Sequence, residues 1–154
     1  MDTSELDEQF EFVGSAMVER DKDGVVDAKQ PQKEYYRSDE KKLHPYGEGP
    51  FCQFTVGTSE YEGSEGVLVF AVDNEIKYVG RSSDIDRYVR EIGNVSPNSC
   101  YEDVGQQTVC HVNTKIFYAA QNGREVSLWV SESDNSNSLK NRIKTRYSPS
   151  WNLR

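Results

Sequence analysis

The feature that most constrains the fold is a pair of short apolar runs on either side of Asp73-Asn74. Gly66-Val67-Leu68-Val69-Phe70 precedes the pair, and Ile76-Lys77-Tyr78-Val79-Gly80 follows it. Both runs are rich in β-branched and aromatic residues and Asp-Asn favours a turn, so the segment reads as an antiparallel hairpin. A helix is predicted directly after it. Asp84 can accept from the free backbone N–H groups at the helix start, and Ile85, Tyr88, Val89 and Ile92 recur at helical spacing on one face.

Downstream, Gly93 to Tyr101 and Gly105 to Thr108 have loop composition. Val109, Val112, Ile116 and Phe117 then give a helical period, with Thr108 as the expected cap and Asn122-Gly123 as the stop. Val126, Leu128 and Val130 predict a third strand. A last helix is predicted from Ser136 or Ser138 to Tyr147, burying Leu139, Ile143 and Tyr147 and ending before Pro149. Upstream, Phe51 to Val56 predicts an accessory strand. Residues 1–45 are polar and acid-rich with few apolar side chains, which predicts a flexible acidic arm ahead of a domain spanning 46–154.

Charge is unevenly distributed. The chain has 154 residues and a formal net charge of −8, which by itself argues against a nucleic-acid partner. Yet residues 1–76 carry 7 basic and 18 acidic side chains, whereas residues 77–154 carry 11 basic and 8 acidic. From Lys140 onward the basic residues are Lys140, Arg142, Lys144, Arg146 and Arg154, with no acid among them. A phosphate-facing surface is therefore expected in the C-terminal part, and the acidic arm is oppositely charged to it. Cys52, Cys100 and Cys110 lack paired zinc-site spacing and read as buried thiols. Met1 leads into Asp and Glu rather than a signal sequence, and no apolar run approaches the roughly 18 residues of a membrane span, so a cytosolic protein with no membrane partner is expected.

Several segments occur together in an order that resembles the GIY-YIG nucleases. These are the hairpin ending in Tyr78-Val79-Gly80, Arg87 seven residues beyond Gly80, the Gly93–Tyr101 and Gly105–Asn113 segments, and Pro149-Ser150-Trp151-Asn152. The middle segments are similar to those of small prokaryotic members. The resemblance covers about residues 50–154. It implies an α/β domain with a small three-stranded antiparallel sheet flanked by helices. It also implies phosphodiester hydrolysis with one divalent metal, usually Mg²⁺. By position, Tyr78 matches a catalytic tyrosine, Gly80 a glycine that lets the chain leave the strand tightly, Arg87 the phosphate-binding arginine and Asn152 the closing asparagine.

Two positions depart from that pattern. Leu68 stands where the family has its first tyrosine, and Lys140 where it has the metal-binding glutamate. A lysine can meet a phosphate oxygen as a point charge but supplies no Lewis acid. The expectation is a protein that binds nucleic acid, DNA in the first place, with metal-dependent cleavage weak or lost and no cofactor as it stands. His111 is a candidate general base. Asn98, Gln106, Gln107 and Asn113 are candidates for reading base edges, and Arg81, Lys140 and Lys144 for holding phosphates. Two alternatives stay open: an active Mg²⁺-dependent endonuclease with Glu132 or Asp134 as substitute carboxylate, and a degenerate domain kept for protein interaction.

Overall fold

The computed structural model describes residue 3, residue 6 and residues 9–36, 39–103 and 105–153; Arg154 and parts of the predicted arm lie outside them. In chain order the elements are β1 (Glu11–Ser15), β2 (Met17–Val18), β3 (Phe54–Thr55), β4 (Gly66–Val72), β5 (Glu75–Ser82), α1 (Ile85–Gly93), α2 (Gln107–Gln121), β6 (Val126–Glu132) and α3 (Ser136–Tyr147).

The hairpin forms as predicted. Asp73 and Asn74 both take left-handed backbone angles (φ 48° and 71°), which gives a two-residue turn whose twist matches that of the strands. β4 and β5 pair from Gly66↔Ser82 to Val72↔Glu75, with Lys77 as a one-residue bulge between the Phe70↔Tyr78 and Ala71↔Ile76 pairs.

The expected three-stranded sheet is instead four-stranded and antiparallel, in the order β1-β6-β4-β5. The fourth strand comes from the segment expected to be a flexible arm. β1 pairs along β6 from Glu11↔Val130 to Ser15↔Ser127. Backbone pairing and the burial of Phe10 at the strand's entrance hold it there, so its low apolar content was a poor guide. Burial of a phenylalanine is worth about 1.5–3 kcal/mol. The remainder of the arm also packs on the domain: β2 pairs with β3, Lys29 bridges to Phe51, and the buried Gln32 donates to Glu48 O at 3.0 Å. The accessory strand expected over Phe51–Val56 is confined to β3.

Both sheet faces are covered. On one, Leu68, Phe70, Tyr78, Leu128 and Val130 pack with Ile85, Val89 and Ile92 of α1 and Val112 and Ile116 of α2. On the other, Val67, Val69 and Val79 pack with Phe10 and with Leu139, Ile143 and Tyr147 of α3. This sandwiching makes every residue of β4 buried, which is why that strand reads as a continuous apolar run. Asp84 caps α1 by accepting from Arg87 N at 3.2 Å. Gln106, not Thr108, occupies the N-cap position of α2 and makes no side-chain cap bond there. α3 ends on Ser148 in a left-handed conformation before Pro149.

Candidate nucleic-acid interface

Leu68 and Tyr78 lie on neighbouring strands, both beneath α1 and α2. Tyr78 is buried, and its hydroxyl meets that of Tyr88 on α1 at 2.8 Å. Burial, reinforced by Tyr88, holds the Tyr78 phenol well above its usual range, so this hydroxyl stays protonated and is unsuited to activating a water near neutral pH. Leu68 is fully buried in the central strand. Gly80 lies within β5 rather than at a departure from it. A Cβ there would come within 2.8 Å of two Tyr78 ring atoms and 2.4 Å of its hydroxyl, so the glycine provides the space in which that ring lies. Arg87 is on the exposed side of α1, where it pairs with Glu91 at 3.2 Å.

The other face carries the charge. Arg81, near the end of β5, donates through Nε to Ser136 Oγ at 2.9 Å, and Ser136 donates to Glu65 Oε2 at 2.6 Å. An Arg81 terminal nitrogen also lies 3.7 Å from that carboxylate. Lys140 and Lys144 occupy one flank of α3 next to this group. Burial, then Lys144 and Arg81, draw the Lys140 ammonium below its usual range. Among the described residues no carboxylate lies within ion-pair distance of Lys140 or Lys144. Of these three cations, Arg81 has a carboxylate within ion-pair distance among the described residues, and that carboxylate already accepts from a serine. That donor set does not fit Mg²⁺, which needs several oxygen ligands and would meet an ammonium at position 140.

The other predicted residues are dispersed. Asn152 accepts from Val79 N at 3.0 Å and donates to Val79 O at 2.8 Å, so its side-chain amide continues the sheet beyond the edge of β5. Asn113 is fully buried, accepting from Cys52 N and donating to Cys52 O and Ile92 O, which corrects the expectation that it meets base edges. His111 packs edge-on against Tyr46 with ring centroids 4.8 Å apart. Burial, then Lys115, lowers its pKa. Asn98 and Gln106 are exposed along one shallow depression, and Gln107 is exposed in the first turn of α2. The sites expected from the resemblance therefore divide between the two faces of the sheet.

Tyr88, Glu65 and Ser136 were not among the predicted site residues. Tyr88 carried a signal, since it shares the apolar face of α1 and is the polar-tipped member of that face. Glu65 and Ser136 are ordinary loop and helix-start residues in sequence, brought together by the fold across 71 positions. Cys52, Cys100 and Cys110 are buried free thiols as expected. No helix among the described residues is long and apolar enough to cross a membrane.

No protein-family model matches the sequence, and no curated protein matches it. Among solved structures, a mutant of bacteriophage T4 EndoII is similar at 12% identity over 92% of each chain, with a TM-score of 0.47. At that identity and score the likeness identifies neither a family nor an activity.

Proposed function

We propose that the protein binds nucleic acid, DNA in the first place, as a GIY-YIG-like domain in which metal-dependent cleavage is weak or lost. The observation that carries this reading is the half-buried group of Arg81, Lys140 and Lys144, in which Glu65 lies 3.7 Å from Arg81 and Lys140 feels the charge of the other two cations. Crowding like charges on a folded surface is unfavourable by itself. A phosphate anion placed among them relieves the repulsion and recovers charge-assisted hydrogen bonds. Lys140, standing where the resemblance expects a metal-binding glutamate, supports phosphate binding that needs no Mg²⁺.

The test is a binding titration of a labelled oligonucleotide at several salt concentrations, with and without a chelator. Affinity is expected to fall with salt at a log–log slope of about −2 to −3, as for three phosphate contacts, and to be the same in chelator. Affinity that requires Mg²⁺, or plasmid nicking by the unmodified protein in Mg²⁺ or Mn²⁺, would favour an active nuclease instead.

A further inference from the structure

The flank of α3 that lies toward β5 carries more than positive charge. Ser136, Lys140 and Lys144 follow one another at four-residue spacing, so their side chains leave the helix along one stripe. At the head of that stripe Ser136 donates to the Glu65 carboxylate at 2.6 Å, and Arg81 of β5 donates to the same serine at 2.9 Å. Lys140 is therefore one helical turn from the serine that holds this carboxylate and one turn from Lys144. Although it is half-buried, its amine has no hydrogen bond or ion pair among the described residues.

A lysine so placed can do more than clamp a phosphate. Burial, then Lys144 and Arg81, all favour release of the Lys140 proton. A desolvated amine beside other cations is the form in which a lysine attacks a carbonyl carbon. The sugar–phosphate backbone of intact DNA offers it no carbonyl. Loss of a base does, because the freed sugar opens to an aldehyde at C1′ with a phosphate on either side. The stripe and its neighbours hold an amine for that aldehyde, Arg81 and Lys144 for the two phosphates, and the Glu65 carboxylate for proton transfer.

We propose that Lys140 forms an imine with the C1′ aldehyde of an abasic deoxyribose and cleaves the strand on its 3′ side. This rests on the nucleic-acid reading above and names a substrate for the same site. The uncharged amine adds to C1′, and the carbinolamine takes up a proton and loses water to leave a protonated imine. The imine makes the C2′ protons acidic. As one of them passes to Glu65, the electron pair left behind forms a C2′–C3′ double bond, the C3′–O bond breaks, and the downstream strand departs with a 5′-phosphate. Water then hydrolyses the imine, which returns the amine and leaves an unsaturated aldehyde on the upstream strand. The sequence exchanges no electrons with an outside partner and has no step that calls for a metal ion.

The experiment incubates the full chain, in chelator, with an oligonucleotide duplex carrying one abasic site and with its intact counterpart. In sodium cyanoborohydride, which reduces the imine to a stable amine, a covalent protein–DNA adduct is expected from the abasic strand alone. Peptide mapping of that adduct should place it on Lys140, a result that does not depend on how any variant folds. Without the reductant the strand should break 3′ to the abasic site. Lys140→Arg keeps a cation but supplies no nucleophilic amine, and at saturating protein its adduct yield should fall at least about tenfold. Affinity for the intact duplex, measured for both proteins, keeps weaker binding from being read as lost chemistry. Binding of the intact duplex with no adduct on the abasic one, an adduct mapped to other lysines, or an undiminished yield in Lys140→Arg overturns the proposal and leaves the nucleic-acid reading standing. A break that appears only when Mg²⁺ replaces the chelator, with no adduct, assigns the site to hydrolysis and overturns it as well. No binding of either duplex and no adduct overturns both readings.

Discussion

The hydroxyl of Tyr78 on β5 meets that of Tyr88 on α1 at 2.8 Å, fastening the hairpin to the helix that follows it. Tyr78→Phe keeps the ring and removes this bond, while the half-buried Tyr88 retains access to solvent. The expected loss is about 0.5–1.5 kcal/mol in urea unfolding. The pH profile carries a second signature. The folded state holds the Tyr78 proton more tightly than the unfolded chain, so stability is complete below about pH 10 and falls as the pH rises beyond it. Thermal melts between pH 8 and 11 should show a shallower fall for Tyr78→Phe. Some slope should remain, because burial also raises Tyr61, Tyr88 and Tyr101.

Asn152 holds the outer edge of β5 through both backbone groups of Val79. Asn152→Ala is expected to cost about 1–3 kcal/mol, since it leaves a donor and an acceptor of a buried residue without partners. Faster hydrogen exchange at the Val79 amide, with little change at Val69, would locate the effect. Asn152→Asp should be destabilising too, because a carboxylate cannot donate to the carbonyl of Val79.

Lys140→Gln should weaken oligonucleotide binding several-fold at low salt and reduce the log–log salt slope by about 1. Stability should hold or improve, as one of three crowded cations is removed. A variant that melts earlier and binds with unchanged affinity would show that Lys140 serves the fold.

Removal of residues 1–42 leaves the domain intact if those residues are only an arm. The structure reverses that expectation, because the cut removes β1, β2 and Phe10. Losing the Phe10 side chain alone is worth about 3–5 kcal/mol. The truncated chain should therefore melt well below the full one, or without cooperativity, in a calorimetric scan.

The parts of the fold that were legible in the sequence are those held by neighbours in the chain. Asp73-Asn74 declares its turn, Asp84 its cap, and Leu139, Ile143 and Tyr147 the buried stripe of α3, because each signal spans a few residues. β1 was not legible for the opposite reason. Its partner β6 lies more than a hundred positions away, and its side chains run from exposed at Glu11 and Phe12 to half-buried from Val13 to Ser15, without the alternation of a strand with one side in the core. Asn113 shows a further limit. Composition marked it as a polar helix residue available to a ligand, but its place among Val109, Val112 and Ile116 puts it on the buried face, where three backbone groups engage its amide. At the candidate site, the basic character of α3 was visible as a run of charge. The face of the sheet it occupies depends on α3 crossing to the side opposite α1 and α2, and no local pattern encodes that.

Tyr78 and Gly80 form a single steric unit, because the ring of one fills the space that a side chain on the other would take. A change at either position alters which residues are tolerated at the other, so the two are expected to be inherited together. Selection for a well-packed hairpin is then sufficient to preserve Tyr-Val-Gly, whatever chemistry the domain performs.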